Sequence, residues 1–230
     1  MLVDRRVLAR IIEAANISKN ETLCEVGTGE GVLTAELCRR AHRVISFEVD
    51  KGLFRQAQER LKFENLELVN ADLFKGANLH FDAFVSNLPY SRSRDALEWL
   101  ATQKFDRAIV MVQEEFADKL AAAPGSKNYR AISALSSYCF KIEKLLKVGR
   151  QSFEPQPLVE SAVLRIMPIN TVTKETAKSL NLLFSKRNKK ASTVAAKAGI
   201  KADFGGNKID QLAADDLMEI AESVQNVRSI

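Results

Sequence analysis

Residues 25–31 read Glu25-Val26-Gly27-Thr28-Gly29-Glu30-Gly31, and what flanks them sets the fold. Upstream, Thr22–Val26 is a short apolar run ending in glycine, the pattern of a buried strand. Downstream, Val32–Arg40 reads as a helix. A strand that passes through a G-x-G-x-G loop into a helix opens a strand–helix–strand unit. Glycines let the backbone turn sharply and approach a ligand closely, and the helix start offers free N–H groups. The spacing departs from the dinucleotide fingerprint G-x-G-x-x-G, whose third glycine falls one residue later. Glu30 also stands where a pyrophosphate would approach. The loop therefore suits a ligand without phosphates but with an amino-acid end; a purely structural glycine turn is the alternative.

The pattern repeats outward from this loop. Asp4 is placed to cap a helix with Val7, Leu8, Ile11 and Ile12 on its apolar face. Further strands are predicted at Arg43–Glu48, Leu66–Asn70, Asp82–Asn87 and Arg107–Gln113. Helices are predicted at Lys51–Leu61, Ser93–Thr102 and Glu114–Ala122, the last broken by Pro124-Gly125-Ser126. Alternating strands and helices with short connections imply an α/β, doubly wound, mostly parallel sheet. Ligands of such sheets bind at the carboxyl ends of the strands, near the switch in strand order. From about residue 169 the pattern becomes helical only, at Lys174–Ser185, Lys189–Ala198 and Asp215–Ser223. Two domains are expected, 1–168 and a small helical one at 169–230, joined near Met167-Pro168-Ile169-Asn170.

Composition narrows the class. The chain has 230 residues, 46% hydrophobic and 27% charged, an ordinary globular balance. Apolar runs are too short for a membrane span, and the charged start, Asp4-Arg5-Arg6, does not read as a signal peptide. Three cysteines, Cys24, Cys38 and Cys139, lack metal-ligand spacing, which predicts reduced thiols in a cytoplasmic protein. With only His42 and His80, no histidine-built metal site is expected. The net charge of +5 is unevenly spread. Residues 121–153 carry Lys127, Arg130, Lys141, Lys144, Lys147 and Arg150 against one acid, Glu143. Residues 184–201 carry Lys186, Arg187, Lys189, Lys190, Lys197 and Lys201 and no acid. With Tyr129, Tyr138, Phe140 and Phe153 among them, these clusters suggest a polyanion such as nucleic acid, although a basic run commonly means a solvated face.

Three further signals sit at strand ends. Glu48 closes the second strand, where a carboxylate can accept both hydroxyls of a ribose. Asp72 follows the third strand, placed either to accept from an adenine amine or to cap a turn. The fourth strand ends in Ser86-Asn87-Leu88-Pro89-Tyr90. An Asn-x-Pro-aromatic tetrapeptide there suits methyl transfer to a planar exocyclic amine, whose lone pair is delocalised into the base. The Asn87 side-chain oxygen and the Leu88 carbonyl can accept its two N–H bonds, aim the lone pair and stabilise charge developing on nitrogen. Pro89 fixes the turn. Tyr90 can stack on a flipped base.

These motifs, in order, resemble the rRNA adenine-N6 dimethyltransferases of the kasugamycin-resistance type, which act on small-subunit rRNA near its 3′ end. Met1-Leu2-Val3-Asp4 resembles the tail of the family's N-terminal Phe-Leu-x-Asp motif. Glu25–Gly31, Glu48, Asp72 and Asn87–Tyr90 follow in sequence. Pro124-Gly125-Ser126-Lys127-x-Tyr129, Phe153-x-Pro155-x-Pro157-Leu158-Val159-Glu160-Ser161-Ala162-Val163 and Phe184-Ser185-x-Arg187-x-Lys189-Lys190 complete the set. The resemblance covers nearly the whole chain. It implies a Rossmann-like class I fold with S-adenosylmethionine as donor, bound by Leu2, Gly27, Gly29, Glu48, Asp72 and Asn87. It further implies that Asn87, Leu88, Pro89 and Tyr90 hold the target adenine, with Phe153 closing over its other face. Arg187, Lys189 and Lys190 would meet the rRNA of an immature small ribosomal subunit. The expected protein is a cytoplasmic monomer that flips its target nucleotide.

Some positions depart from the family pattern. Met1 stands in the family's Phe position, and the polar residues expected before it do not precede it, which predicts weaker cofactor binding or a shortened chain. Ser91-Arg92-Ser93 replaces the common Asn-Ile-Ser after the tetrapeptide, leaving Arg92 and Arg94 to hold a phosphate or to face solvent. Two alternatives follow: a large-subunit rRNA adenine methyltransferase of the antibiotic-resistance type, or a weakly catalytic rRNA-binding assembly factor.

Overall fold

The structure is a computed structural model that describes residues 2–76, 79–197, 199–200 and 204–225. Met1, Ala198 and Lys201, which figure in the sequence reading, lie outside the described residues.

The N-terminal helix α1 (Arg5–Ala15) begins where the sequence placed its cap, with the Asp4 carboxylate accepting from Arg6 N–H. Next come β1 (Thr22–Val26), α2 (Val32–Cys38), β2 (Arg43–Phe47), α3 (Lys51–Arg60) and β3 (Leu66–Val69). The chain then crosses to β4 (Ala83–Asn87), α4 (Ser93–Leu100), β5 (Arg107–Gln113) and α5 (Glu114–Leu120). It continues through α6 (Ala131–Cys139), β6 (Phe140–Val148) and β7 (Ser161–Pro168) to the helices α7 (Lys174–Ser185), α8 (Ala191–Lys197) and α9 (Ala214–Gln225).

The seven strands form one sheet in the order β3-β2-β1-β4-β5-β7-β6. The first five are parallel, and β7 runs antiparallel to β5. The chain builds outward from β1 to β3, then returns to the other side of β1 as β4. The switch in strand order therefore lies between β1 and β4, so the glycine loop after β1 and the tetrapeptide after β4 emerge side by side. A hydroxyl joins the two strand ends, because Ser86 Oγ donates to the Val26 carbonyl at 2.6 Å.

The chain divides into two compact units. The first comprises residues 1–93, 104–117 and 142–167. One of its buried clusters lies on one sheet face, where Val7, Ile11 and Ala15 of α1 and Leu33 and Leu37 of α2 join Leu23, Val44, Ala83, Val85, Ile109, Met111 and Val163. Burying these side chains supplies the main favourable term for folding, about 25 cal/mol per Å² of apolar surface. The second unit comprises residues 94–103, 118–141 and 168–230. Here α7 and α9 pack on each other and on α6. Tyr129 is buried within it, edge-on to Phe184 at 5.7 Å, with its hydroxyl donating to the Leu212 carbonyl at 3.2 Å. This partition differs from a boundary at 168/169, because residues 94–103 and 118–141 pack with the C-terminal helices. Reading along the chain cannot show such long-range association.

Two expectations about the basic clusters need correction. Tyr129 and Phe140 are core side chains, 1% and 4% exposed, so neither offers a stacking face to nucleic acid. Lys144 is also paired with Glu114 at 2.6 Å, and Lys147 with Glu114 at 3.1 Å and Glu160 at 2.6 Å. The acids that neutralise this segment come from neighbouring stretches, which a count within residues 121–153 misses.

Candidate active site

The glycine loop folds as its residues dictate. Gly27 has φ +83°, Gly29 +54° and Gly31 +83°, all in the left-handed region that side chains disfavour. At Gly27 a side chain would also be crowded, since a Cβ would lie 3.2 Å from Cδ of Pro89. The loop after β1 thus packs directly on the turn after β4, and only a glycine permits that approach.

Two clefts open in the first unit. One, of about 310 Å³, is lined by Leu2, Gly27, Thr28, Gly29 and Asn87, together with Glu25, Glu30 and four apolar side chains. The other, of about 220 Å³, is lined by Asn87, Leu88, Pro89, Tyr90, Phe153, Pro155 and Pro157. Among the described residues Asn87 alone lines both. The clefts adjoin a second time through the backbone, where Leu2 of the first bridges Phe153 of the second. Tyr90 is held by a hydrogen bond between its hydroxyl and Ser161 Oγ at 2.7 Å.

The sequence-nominated residues fall into three groups. Leu2, Gly27, Gly29 and Asn87 line the first cleft, and Leu88, Pro89, Tyr90 and Phe153 line the second with Asn87. Glu48 lies directly behind the glycine loop. Its Oε2 accepts from Gly29 N–H and its Oε1 from Asp50 N–H, each at 2.9 Å. Each oxygen keeps a lone pair for a further donor. Asp72 lies outside both linings. It caps the turn Leu73–Lys75, accepting from Phe74 N–H at 3.1 Å, and it pairs with Arg92 at 2.7 Å. Arg94 pairs with Glu98 and donates to Asn181 Oδ1. Both arginines, expected to hold a phosphate or to face solvent, are ion-paired within the protein.

A polar network that the sequence reading assigned no role underlies the first cleft. Glu25 is 1% exposed, and its Oε2 accepts from Thr34 Oγ1 at 2.7 Å and from Ser46 Oγ at 2.6 Å. Ser46 in turn shares a 2.6 Å hydrogen bond with Thr28 of the glycine loop. Parallel pairing sets Ser46 directly beside Glu25. The signal available in the sequence was a carboxylate and a hydroxyl at inward positions of two otherwise apolar strands. Burial raises the Glu25 carboxyl from its ordinary 4.5 to about 7, with the nearby Glu48 charge adding to the rise and the two hydroxyl donors opposing it.

This has a consequence for stability. Near pH 6 native Glu25 holds a proton that the unfolded chain has released, so stability falls as pH rises from about 4.5 to 7. Glu25→Gln keeps the shape and removes the titration. Between pH 5 and pH 8, wild type should lose on the order of 2–3 kcal/mol relative to Glu25→Gln in urea unfolding. Parallel pH profiles for the two proteins would contradict this placement of the carboxyl.

The second unit carries a separate cleft of about 510 Å³, lined by Lys186, Asn188, Lys189, Lys190, Thr193, Val194 and Lys197. Of the residues nominated for RNA, Lys189 and Lys190 line it. Arg187 instead turns toward Asp210, at 3.9 Å. The three cysteines are buried free thiols. Among the described residues no group of His, Cys, Asp and Glu could hold a metal ion, and no helix is long and apolar enough to cross a membrane.

Comparison with known proteins bears on this geometry. A solved dimethyladenosine transferase from Plasmodium falciparum superposes with a TM-score of 0.78 over 98% of both chains at 23% identity, a likeness of fold. The solved 23S rRNA methyltransferase ErmE has a TM-score of 0.67 and 25% identity, covering 98% of this chain and 99% of that one. The fold is thus the doubly wound class I methyltransferase fold. In sequence, the Thermotoga maritima protein named ribosomal RNA small subunit methyltransferase A is 36% identical over 192 residues, which is 82% of this chain and 69% of that protein. The family model described as ribosomal RNA adenine dimethylase matches residues 1–225. With a match that runs from the bridge at Leu2 through both clefts and on into α9, the chain belongs to the ribosomal RNA adenine dimethylase family.

Proposed function

We propose that this protein transfers methyl groups from S-adenosylmethionine to the N6 amines of adenosines in small-subunit ribosomal RNA. The observation that carries this reading is Asn87, which faces both clefts. A group transferred between two bound molecules must pass where their sites meet. The name of the Thermotoga maritima relative supports the small subunit as substrate.

The first cleft suits the donor. At Gly27, bare backbone lies where a side chain would meet Pro89. The Glu48 carboxylate, fixed by Gly29 and Asp50, retains acceptor capacity for the ribose hydroxyls. When bound, the donor supplies an electrophilic methyl carbon. The second cleft takes the target base, with Tyr90 and Phe153 lining it as aromatic surfaces for a flipped adenine. The Asn87 side-chain oxygen and the Leu88 carbonyl accept the two amine N–H bonds. That draws the lone pair out of conjugation and stabilises positive charge building on nitrogen. Pro89 keeps both acceptors in place at little entropic cost.

The cleft of Lys186, Lys189, Lys190 and Lys197 supplies charge for the phosphate backbone. Replacing Lys189 and Lys190 together with alanine should weaken RNA binding and lower the slope of log K against log salt by about 1–2. An unchanged affinity across a salt series would remove these residues from the interface.

Incubation with methyl-labelled S-adenosylmethionine and unmethylated ribosomal particles tests the proposal. Label in small-subunit rRNA alone is the expected result. Label in large-subunit rRNA would reassign the substrate, and RNA binding with no label in either would favour a non-catalytic assembly role.

A further inference from the structure

The contacts of Arg92 give it a defined task. It ends the short turn Tyr90–Arg92 that follows the tetrapeptide, and its backbone N–H donates to the Pro89 carbonyl at 2.8 Å. Its guanidinium is about one-third exposed and donates from Nη2 to Oδ1 of Asp72 at 2.7 Å. The same guanidinium lies over the Phe74 ring, 5.2 Å from its centre. Asp72 is itself mostly buried, and its Oδ1 also accepts from Phe74 N–H at 3.1 Å. Two donors thus converge on one oxygen. Among the described residues the other, Oδ2, has only the exposed Lys75 ammonium at 4.0 Å.

We propose that Arg92 is a positioning residue for Asp72, and that through it the protein selects a 6-amino purine in its methyl donor. This rests on the proposed use of S-adenosylmethionine. The parallel strands order the donor's binding groups along the carboxyl edge of the sheet: the glycine loop after β1, Glu48 after β2, Asp72 after β3. Asn70 ties the last two together, donating from Nδ2 to the Glu48 carbonyl at 2.7 Å. A nucleoside whose ribose meets Glu48 extends its base toward Asp72. With Oδ1 committed to Arg92 and Phe74, the carboxylate cannot rotate freely. It then offers Oδ2 as an acceptor of fixed direction. An exocyclic amine donates to that oxygen. A 6-oxo group sets acceptor against acceptor and is rejected. Arg92 therefore acts through Asp72, and the salt bridge also fastens the purine end of the site to the turn that carries Asn87 and Tyr90.

The test is a ratio of affinities, measured by calorimetry with S-adenosylhomocysteine and with its deaminated analogue S-inosylhomocysteine. Both ligands are titrated into the same preparation, so any inactive fraction cancels. Wild type should prefer the amino ligand strongly. Arg92→Met, which keeps the aliphatic stem over Phe74, should reduce that preference about tenfold, and Arg92→Lys should restore part of it. An unchanged preference in Arg92→Met, with Asp72→Ala losing it, would overturn the positioning role alone. An unchanged preference in Asp72→Ala would overturn the role of Asp72 in donor binding, and the inference with it.

Discussion

Asn87→Ala should lower kcat by about 10²–10³-fold, the usual cost of removing one donor or acceptor aimed at charge that develops in a transition state. Alanine removes the amide oxygen proposed to accept from the target amine, and nothing nearby replaces it. Ser86, the adjacent hydroxyl, is already committed to the Val26 carbonyl. Leu88 is a buried apolar side chain and contributes only its carbonyl. The strand should survive the change, since Asn87 lies at the end of β4 and is only part-buried. RNA affinity should therefore change little while kcat collapses, the signature of an interaction made mainly in the transition state. Single-turnover methylation alongside RNA binding measures both quantities. A variant that binds RNA normally and methylates at the wild-type rate would contradict the assigned role.

Gly27→Ala should be clearly more damaging than Gly29→Ala. At φ +83° an alanine is strained by roughly 1–2 kcal/mol, and its Cβ meets the Pro89 ring at 3.2 Å. A proline ring is fixed to the backbone at both ends, so it cannot swing aside as a long side chain would. Relief must come from moving the loop or the tetrapeptide, and either movement spoils a proposed binding surface. Stability should fall by roughly 2–3 kcal/mol, with donor affinity down at least tenfold. Gly29→Ala supplies the contrast, because Gly29 also has positive φ but its Cβ would meet nothing within 4 Å. It should show the strain without the collision. Equal effects at the two positions, in urea unfolding and in calorimetric titration of S-adenosylhomocysteine, would contradict the packing argument.

The parallel half of the sheet was readable in the chain because each strand is a compact apolar run. Leu23, Val44, Val85 and Ile109 all sit in such runs and all enter the core. The other edge was not readable. β6 carries the exposed Lys141 and the ion-paired Glu143, Lys144 and Lys147, so it lacks the hydrophobicity of a buried strand. α6 is buried around most of its surface and presents no polar stripe to mark a helical period. The site shows the same division. Asn87, Pro89 and the glycines are recognisable because few residues tolerate their positions. The network of Glu25, Thr34, Ser46 and Thr28 depends on pairing between β1 and β2 and on the packing of α2, which no local pattern reveals. Arg92 was read as a solvated or phosphate-holding charge because its partner, Asp72, is distant in sequence.

The most direct measurement is nucleoside mass spectrometry of small-subunit rRNA after reaction with isotopically labelled S-adenosylmethionine. Two clefts meeting at Asn87 predict label in N6-methylated adenosine, and the family predicts that it accumulates as N6,N6-dimethyladenosine, with Asn87→Ala nearly silent under the same conditions. Label confined to any other nucleoside, or dimethyladenosine formed equally by Asn87→Ala, would contradict the account.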